Sequence, residues 1–221
     1  MRNPHKDNIV KMLEGLCHCH SPWTVFSDFV ELYAISISNP VDKRQFDVRE
    51  ERYLATIKRY TPDEQQKFPQ MFAELVLALE REATDILGVI FHELNLHNHY
   101  KGQFFTPQHM CDFMAAMTID RIDDEVAERG YISLSEPACG SGVMILGAIR
   151  TMAKKGLNYQ RQLFVEACDI DLKCVHMTYV QLALCGVPAV VLHGNTLTQE
   201  VWSHWHTPMY VLDGWVRKIG K

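Results

Sequence analysis

Glu136-Pro137-Ala138-Cys139-Gly140-Ser141-Gly142 stands between a β-prone run, Tyr131 to Leu134, and an apolar helical stretch, Val143 to Ile149. A strand, a glycine turn and a helix in that order let a backbone pass close beneath a bound nucleotide-like ligand. Gly140 and Gly142 accept positive φ and carry no Cβ to obstruct the approach. The helix start beyond them offers unpaired N–H groups. The spacing differs from the dinucleotide pattern GxGxxG, because Ile145 stands where the third glycine belongs. Glu136 instead places a carboxylate at the strand end, suited to an amine or hydroxyl donor rather than a pyrophosphate.

Working outward, Gln162 to Cys168 reads as a second strand, ending in Asp169-Ile170-Asp171. A carboxylate at the C-terminal edge of a second strand can accept both ribose hydroxyls of a nucleoside, as in doubly wound folds. Asp171 suits a cap on the next helix, Leu172 to Cys185, which stops at Gly186. Ala189 to His193 is a third strand, followed by Gly194-Asn195-Thr196-Leu197. Upstream, Thr106-Pro107 forms an N-cap and N1 pair, opening a helix in which Met110, Phe113, Met114 and Met117 make an apolar stripe. By itself that stripe reads as a methionine-rich core face.

At these residues the chain resembles a known family. Glu136 to Gly142 is similar to motif I, usually written DPACGSG, of the S-adenosylmethionine-dependent N6-adenine DNA methyltransferases, especially the type I modification subunits. Gly102-Gln103-Phe104-Phe105-Thr106-Pro107 resembles the GQFYTP motif of the same family. The resemblance covers the second half of the chain and extends back to Asp85 through Leu94. It implies an α/β fold: a shortened Rossmann-like class I core with a parallel sheet, binding S-adenosylmethionine or its product S-adenosylhomocysteine. It places Gln103, Phe104, Phe105, Thr106 and Pro107 over the methionine end of the cofactor, with Thr106 holding the carboxylate. Glu136, Ala138, Gly140, Ser141 and Gly142 would form the turn beneath it. The family sets its ribose acid before an apolar residue, which selects Asp169 ahead of Ile170. Asn195 stands where the family usually has Asp, and its carbonyl oxygen can accept from the adenine amino group.

One family feature is absent. The tetrapeptide Asn/Asp-Pro-Pro-Tyr/Phe, which holds the target amino group and stacks on a flipped base, does not occur in the sequence. The nearest stretch by position is His206-Thr207-Pro208-Met209-Tyr210, which makes His206, Pro208 and Tyr210 the weak catalytic candidates. The plainer reading is that Pro208 starts a last strand, Met209 to Leu212. Four parallel strands in the order 3-2-1-4 leave the fourth at an edge. Trp202, Trp205 and Trp215 beside it suit a homodimer or a complex with another chain.

The remaining sequence bounds these readings. The 221 residues are 47% apolar and 22% charged, ordinary for a soluble protein. No apolar run reaches membrane-spanning length, so no membrane partner and a cytoplasmic location are expected. Seven cysteines without framework spacing argue against a disulfide scaffold. A net charge of −5 makes DNA a weakly held partner at best, since non-specific affinity comes from phosphate neutralisation. Residues 1–100 read as a helical N-terminal region and 101–221 as the cofactor-binding core. Ser21-Pro22 and Thr61-Pro62-Asp63-Glu64 are helix starts, and Met71 to His92 reads as two helices meeting near Arg81 to Thr84. Cys17-His18-Cys19-His20 is too closely spaced for zinc, so no metal is expected. The leading expectation is an S-adenosylmethionine-binding N6-adenine DNA methyltransferase-like protein, partial or inactive alone. The rivals are a non-catalytic cofactor-binding partner subunit and a methyltransferase with a non-DNA acceptor.

Overall fold

Polar caps followed by proline open three N-terminal helices. Asn3 accepts from His5 and Lys6 ahead of α1 (Pro4–Leu16), and Ser21 accepts from Thr24 ahead of α2 (Pro22–Ser38). After α3 (Phe46–Ile57), Thr61 and Glu64 close a capping box on α4 (Pro62–Gln65). The stretch from Met71 to His92 does divide, into the end of α5 (Lys67–Arg81) and α6 (Ile86–Glu93). The structure, a computed structural model, describes residues 3–94, 96, 106–119 and 123–220. Gln103, Phe104 and Phe105 lie outside the described residues.

Next come α7 (Gln108–Ile119), α8 (Asp123–Arg129), β1 (Ile132–Glu136) and α9 (Val143–Lys154). α10 (Tyr159–Gln162), β2 (Leu163–Asp169), α11 (Leu172–Leu184) and β3 (Ala189–Asn195) follow. The chain then forms β4 (Glu200–His206), α12 (Pro208–Leu212) and α13 (Trp215–Ile219). β1, β2 and β3 are parallel neighbours in that order. Their helical crossovers therefore bring the C-terminal ends Glu136, Asp169 and Asn195 to one end of the sheet.

α11 is buried all round from Lys173 to Leu182, because it lies between the sheet and α2. One apolar core joins Ile9 and Leu13 of α1 to Phe29 of α2, Val165 of β2 and Trp205 of β4. The opposite face of the sheet carries a smaller cluster of Phe164, Val190, Tyr210 and Trp215. On that face Ser133, Ser135 and Glu166 remain exposed.

The fourth strand differs from the sequence expectation. β4 is antiparallel to β3, the sheet order is β1-β2-β3-β4, and Met209 to Leu212 belongs to α12 rather than to a strand. The sheet is thus mixed, not wholly parallel. The cause is the connection. Residues 196–199 form a turn far too short for a crossover, which needs a dozen or more residues. Asn195 Oδ1 accepts from the N–H groups of Leu197 (3.0 Å) and Thr198 (3.4 Å), and Gln199 takes a left-handed φ of 60°. Gly194 sits at the bulge, where a Cβ would lie 2.4 Å from the Glu200 carbonyl oxygen.

The tryptophans also divide. Trp215 and Trp205 are buried in the two cores, and Trp202 alone of the three is exposed, at 51%. Trp205 has a specific neighbour: the Arg49 guanidinium stacks 3.9 Å from its ring centre. Arg49 also donates to the His204 carbonyl (2.8 Å), Asp42 (3.0 Å) and Ser38. This buried fork fastens the N-terminal helices to β4.

Candidate cofactor-binding site

The glycine turn forms as its sequence requires. Gly140 has φ 56° and Gly142 φ 90°, both left-handed, and Gly142 is the N-cap of α9. A Cβ on Gly142 would lie 3.1 Å from Thr178 Oγ1, so α11 closes off that side as well. Thr178 donates to the Gly140 carbonyl at 3.1 Å. Ser141, between the two glycines, is fully buried.

Asp169 faces this turn. Its Oδ2 accepts from the Gly140 N–H at 2.8 Å and its Oδ1 from the Asp171 N–H at 2.9 Å. A carboxylate presents about four acceptor positions, so hydroxyl donors can still be received. Asp171 caps α11, accepting from Lys173 at 2.9 Å, as its position predicts. Ile170 is 61% exposed, an apolar surface beside the acid.

Glu136 accepts from the Ala138 N–H at 3.3 Å. Burial raises the pKa values of both Glu136 and Asp169, and each case is sharpened by a nearby carboxylate, Asp169 for Glu136 and Asp171 for Asp169. Two half-buried acids at adjacent strand ends suit amine and hydroxyl donors and repel phosphate.

A cleft of about 230 Å³ opens beside these ends, lined by Glu136, Pro137, Cys168, Asn195, Thr196 and Gln199 among others. Asp169 does not line it, since its carboxylate is turned toward the glycine turn. Thr196 donates to the Pro137 carbonyl at 2.6 Å and joins the hairpin turn to the strand end. Asn195 is brought to this cleft, but its Oδ1 already serves the turn. What it can offer a ligand is its amide N–H pair, which suits adenine ring nitrogens better than the amino group. A larger cavity, about 560 Å³, lies elsewhere, among Lys6, Arg81, Asp85, Val89 and Gln108.

Thr106 and Pro107 are exposed just ahead of α7, and the Pro107 carbonyl accepts from Met110 (2.9 Å) and Cys111 (3.3 Å). The methionine stripe on α7 is not the core face. Met110, Phe113, Met114 and Met117 are 46–65% exposed, while Cys111 and Ala115 are buried. Close packing on α9 decides this: a Cβ on Gly147 would lie 3.2 Å from the Cys111 backbone, which leaves no room for large side chains.

The weak catalytic candidates are not brought to the site. His206 pairs with Val190 at the start of β3, while Asn195 stands at its other end. That separation is roughly 17 Å at the usual rise per residue. His206 stacks on Tyr210 with ring centres 5.2 Å apart, Tyr210 packs on Phe164, and Pro208 opens α12. The antiparallel return of β4 carries all three away from the end that bears Glu136, Asp169 and Asn195.

Sequence reasoning missed Asp85. It caps α6 by accepting from Gly88 N–H at 2.9 Å, and its other oxygen accepts from Ser141 Oγ at 2.5 Å. Gln181 Nε2 donates both to Asp85 (3.0 Å) and to the Ser141 carbonyl (2.7 Å). The signal available was the resemblance beginning at Asp85, which carried no role for the residue. Among the described residues no group of His, Cys, Asp and Glu side chains is arranged to hold a metal ion. No described helix is long and apolar enough to cross a membrane.

This chain belongs to the N-6 DNA methylase family. The family model, N-6 DNA Methylase, matches residues 83–212, more than half of the sequence, and the match includes Asp85, the glycine turn, Asp169 and Asn195. A solved structure assigned as a class I S-adenosylmethionine-dependent methyltransferase, from Listeria monocytogenes, is 15% identical, with a TM-score of 0.45. The alignment covers 89% of this chain and 55% of that one, so the chain spans about half the length of this neighbour. No curated protein matches the sequence.

Proposed function

We propose that this chain is the cofactor-binding part of an S-adenosylmethionine-dependent methyltransferase acting on the N6 amino group of adenine in DNA. The observation that carries the reading is the Gly140–Asp169 hydrogen bond at 2.8 Å, which unites the glycine turn and the ribose acid at the end of parallel strands. Both residues fall inside the family match. The residues fit the cofactor. Asp169 retains acceptor capacity for ribose hydroxyls, Glu136 suits an ammonium or hydroxyl, and the glycine turn has no Cβ on its two positive-φ residues. When bound, the cofactor supplies a methyl group activated by its sulfonium.

The chain's own contribution is then to bind, orient and hold. The glycine turn and Asp169 fix the nucleoside, and Glu136 fixes a donor group at the end of β1. Orientation of the acceptor amine requires residues that the 221-residue sequence does not present in the family's tetrapeptide. Among the described residues no strand pairs with the outer edge of β1, the strand that bears Glu136. In this reading the acceptor-orienting groups approach the cofactor along that edge. We propose that the association with another chain or a second copy uses this edge, in place of the Trp202-to-Trp215 surface expected from the sequence.

The test is transfer of labelled methyl to adenine-containing DNA, to RNA and to cell lysate, run beside a direct binding measurement. Binding with adenine N6 as the labelled position supports the reading. Label in another acceptor replaces the substrate, and tight binding without any transfer favours a cofactor-binding subunit.

A further inference from the structure

We infer that Asp85 is a positioning residue for cofactor binding: a buried carboxylate that locks Ser141, and with it the glycine turn, to α6 and α11. The inference rests on the reading of that turn as the cofactor site. Asp85 lies 56 residues upstream of Ser141, and is 6% exposed, while Ser141 and Gln181 are fully buried. Both carboxylate oxygens are engaged. Oδ1 accepts from Gly88 N–H (2.9 Å) and Gln181 Nε2 (3.0 Å), and Oδ2 accepts from Ser141 Oγ (2.5 Å). Gln181 completes the lock by accepting from Leu87 N–H at 3.1 Å and donating to the Ser141 carbonyl at 2.7 Å. Ser141 is thus held through its hydroxyl and its backbone, from two helices.

Helix capping alone explains little of this. An N-cap needs one acceptor oxygen and is satisfied by an exposed Ser, Thr, Asp or Asn. Here the second oxygen is directed into the glycine turn, and a desolvated carboxylate is a costly way to cap a helix. Gly88 shows the same bias. A Cβ there would stand 2.1 Å from Asp85 Oδ2 and 2.6 Å from Ser141 Oγ. Glycine inside a helix is less favourable than alanine, and at position 88 it opens the space in which hydroxyl and carboxylate meet. The Asp85 N–H also approaches Gln108 Oε1 at 3.4 Å, at the start of α7 beyond Thr106-Pro107. Asp85 therefore stands where the two cofactor motifs adjoin. Its role is to hold the turn, because no ligand atom need touch it.

The test uses the full chain and the variants Ser141→Ala, Asp85→Asn and Asp85→Ala. Two readouts are taken, affinity for S-adenosylhomocysteine by calorimetry and amide exchange across residues 139–143 without ligand, both in variants shown to fold by their melting transitions. Ser141→Ala should weaken binding about tenfold, the scale of one hydrogen bond to a charged group, and speed exchange at the turn by a similar factor. Asp85→Asn, which keeps the Oδ1 acceptor, should fall between Ser141→Ala and wild type. Adding Ser141→Ala to Asp85→Ala should cost nothing further. Wild-type exchange at the turn in folded Ser141→Ala and Asp85→Asn overturns the inference, whether or not ligand binds. Failure of the wild-type chain to bind the ligand overturns the cofactor reading instead, and the exchange data still decide whether Asp85 holds the turn. If Asp85→Ala does not fold, exchange in the two milder variants decides between these outcomes.

Discussion

The backbone N–H of Gly140 donates to the Asp169 carboxylate at 2.8 Å, so the turn after β1 and the end of β2 form one unit. In the proposed reading, a single side chain shapes the loop under the cofactor and also presents acceptor positions to it. Asp169→Ala removes both functions, along with the acceptor for the Asp171 N–H. It should weaken S-adenosylhomocysteine binding by roughly 1–3 kcal/mol, the range for hydrogen bonds to a charged group. Calorimetry on the folded variant checks this, and unchanged affinity removes Asp169 from the site.

A second prediction follows from the hairpin. His206 and Tyr210 stack on one another at the end of the sheet remote from Asn195. Tyr210→Ala should lower stability by about 3 kcal/mol, as for truncation of a buried aromatic side chain. Neither it nor His206→Ala should change cofactor affinity more than about twofold, within the scatter for remote sites. A large loss of binding in a folded His206→Ala protein contradicts the placement of the site.

The third concerns the joint between the N-terminal helices and β4. Arg49 is 5% exposed, pairs with Asp42, donates to His204 O and stacks on Trp205. Arg49→Ala leaves the largely buried Asp42 with only the His206 imidazole at 3.9 Å and should cost about 3–5 kcal/mol in denaturant unfolding, the scale for breaking a buried pair. Arg49→Lys should recover little of it, because an ammonium lacks the planar fork. Wild-type stability in Arg49→Ala would show that the joint contributes nothing, and in Arg49→Lys that the planar fork is not needed.

The fourth is a pH dependence. His176 is 2% exposed against Trp205, and burial, reinforced by Arg52, His193 and Arg49, pushes its pKa down to about 3. The folded value lies below the unfolded one, near 6.5, so the unfolded chain takes up the proton first as pH falls. This contribution to stability is complete above pH ~6.5 and is lost progressively toward pH ~3. Asp85, Asp169 and Glu136 act in the opposite sense, since burial raises their pKa values and acid relieves the cost of their charge. His176→Phe isolates the imidazole. Between pH 7 and pH 4 the variant should lose less stability than wild type, by a difference on the order of a few kcal/mol. Parallel stability curves for the two proteins would contradict this account.

Much of the site was legible in the sequence because its parts are local. A strand, two glycines needing positive φ and an acid capping the next helix are all specified within a few residues, and Glu136 to Gly142, Asp169 and Asp171 stand where those rules put them. Strand pairing is not local. Met209 to Leu212 has the composition of a strand, but the proline after Thr207 begins a helix, and the Asn195 turn commits Val201 to His206 to a hairpin instead. The α7 stripe misleads for a related reason. Its hydrophobicity points to burial, whereas Gly147 on α9 admits only the face with Cys111 and Ala115. Asp85 was invisible for the same cause, since a capping acid looks alike whether its second oxygen faces water or Ser141.

The central claim is that the glycine turn binds S-adenosylmethionine, and one titration tests it most directly. S-Adenosylhomocysteine, which cannot turn over, is titrated calorimetrically into the wild-type chain and into Gly140→Val. Gly140 has φ 56°, where a β-branched residue is strained. Saturable one-to-one binding by wild type, lost in a folded Gly140→Val protein, is the predicted result. No binding by wild type, or equal binding by the two proteins, contradicts it.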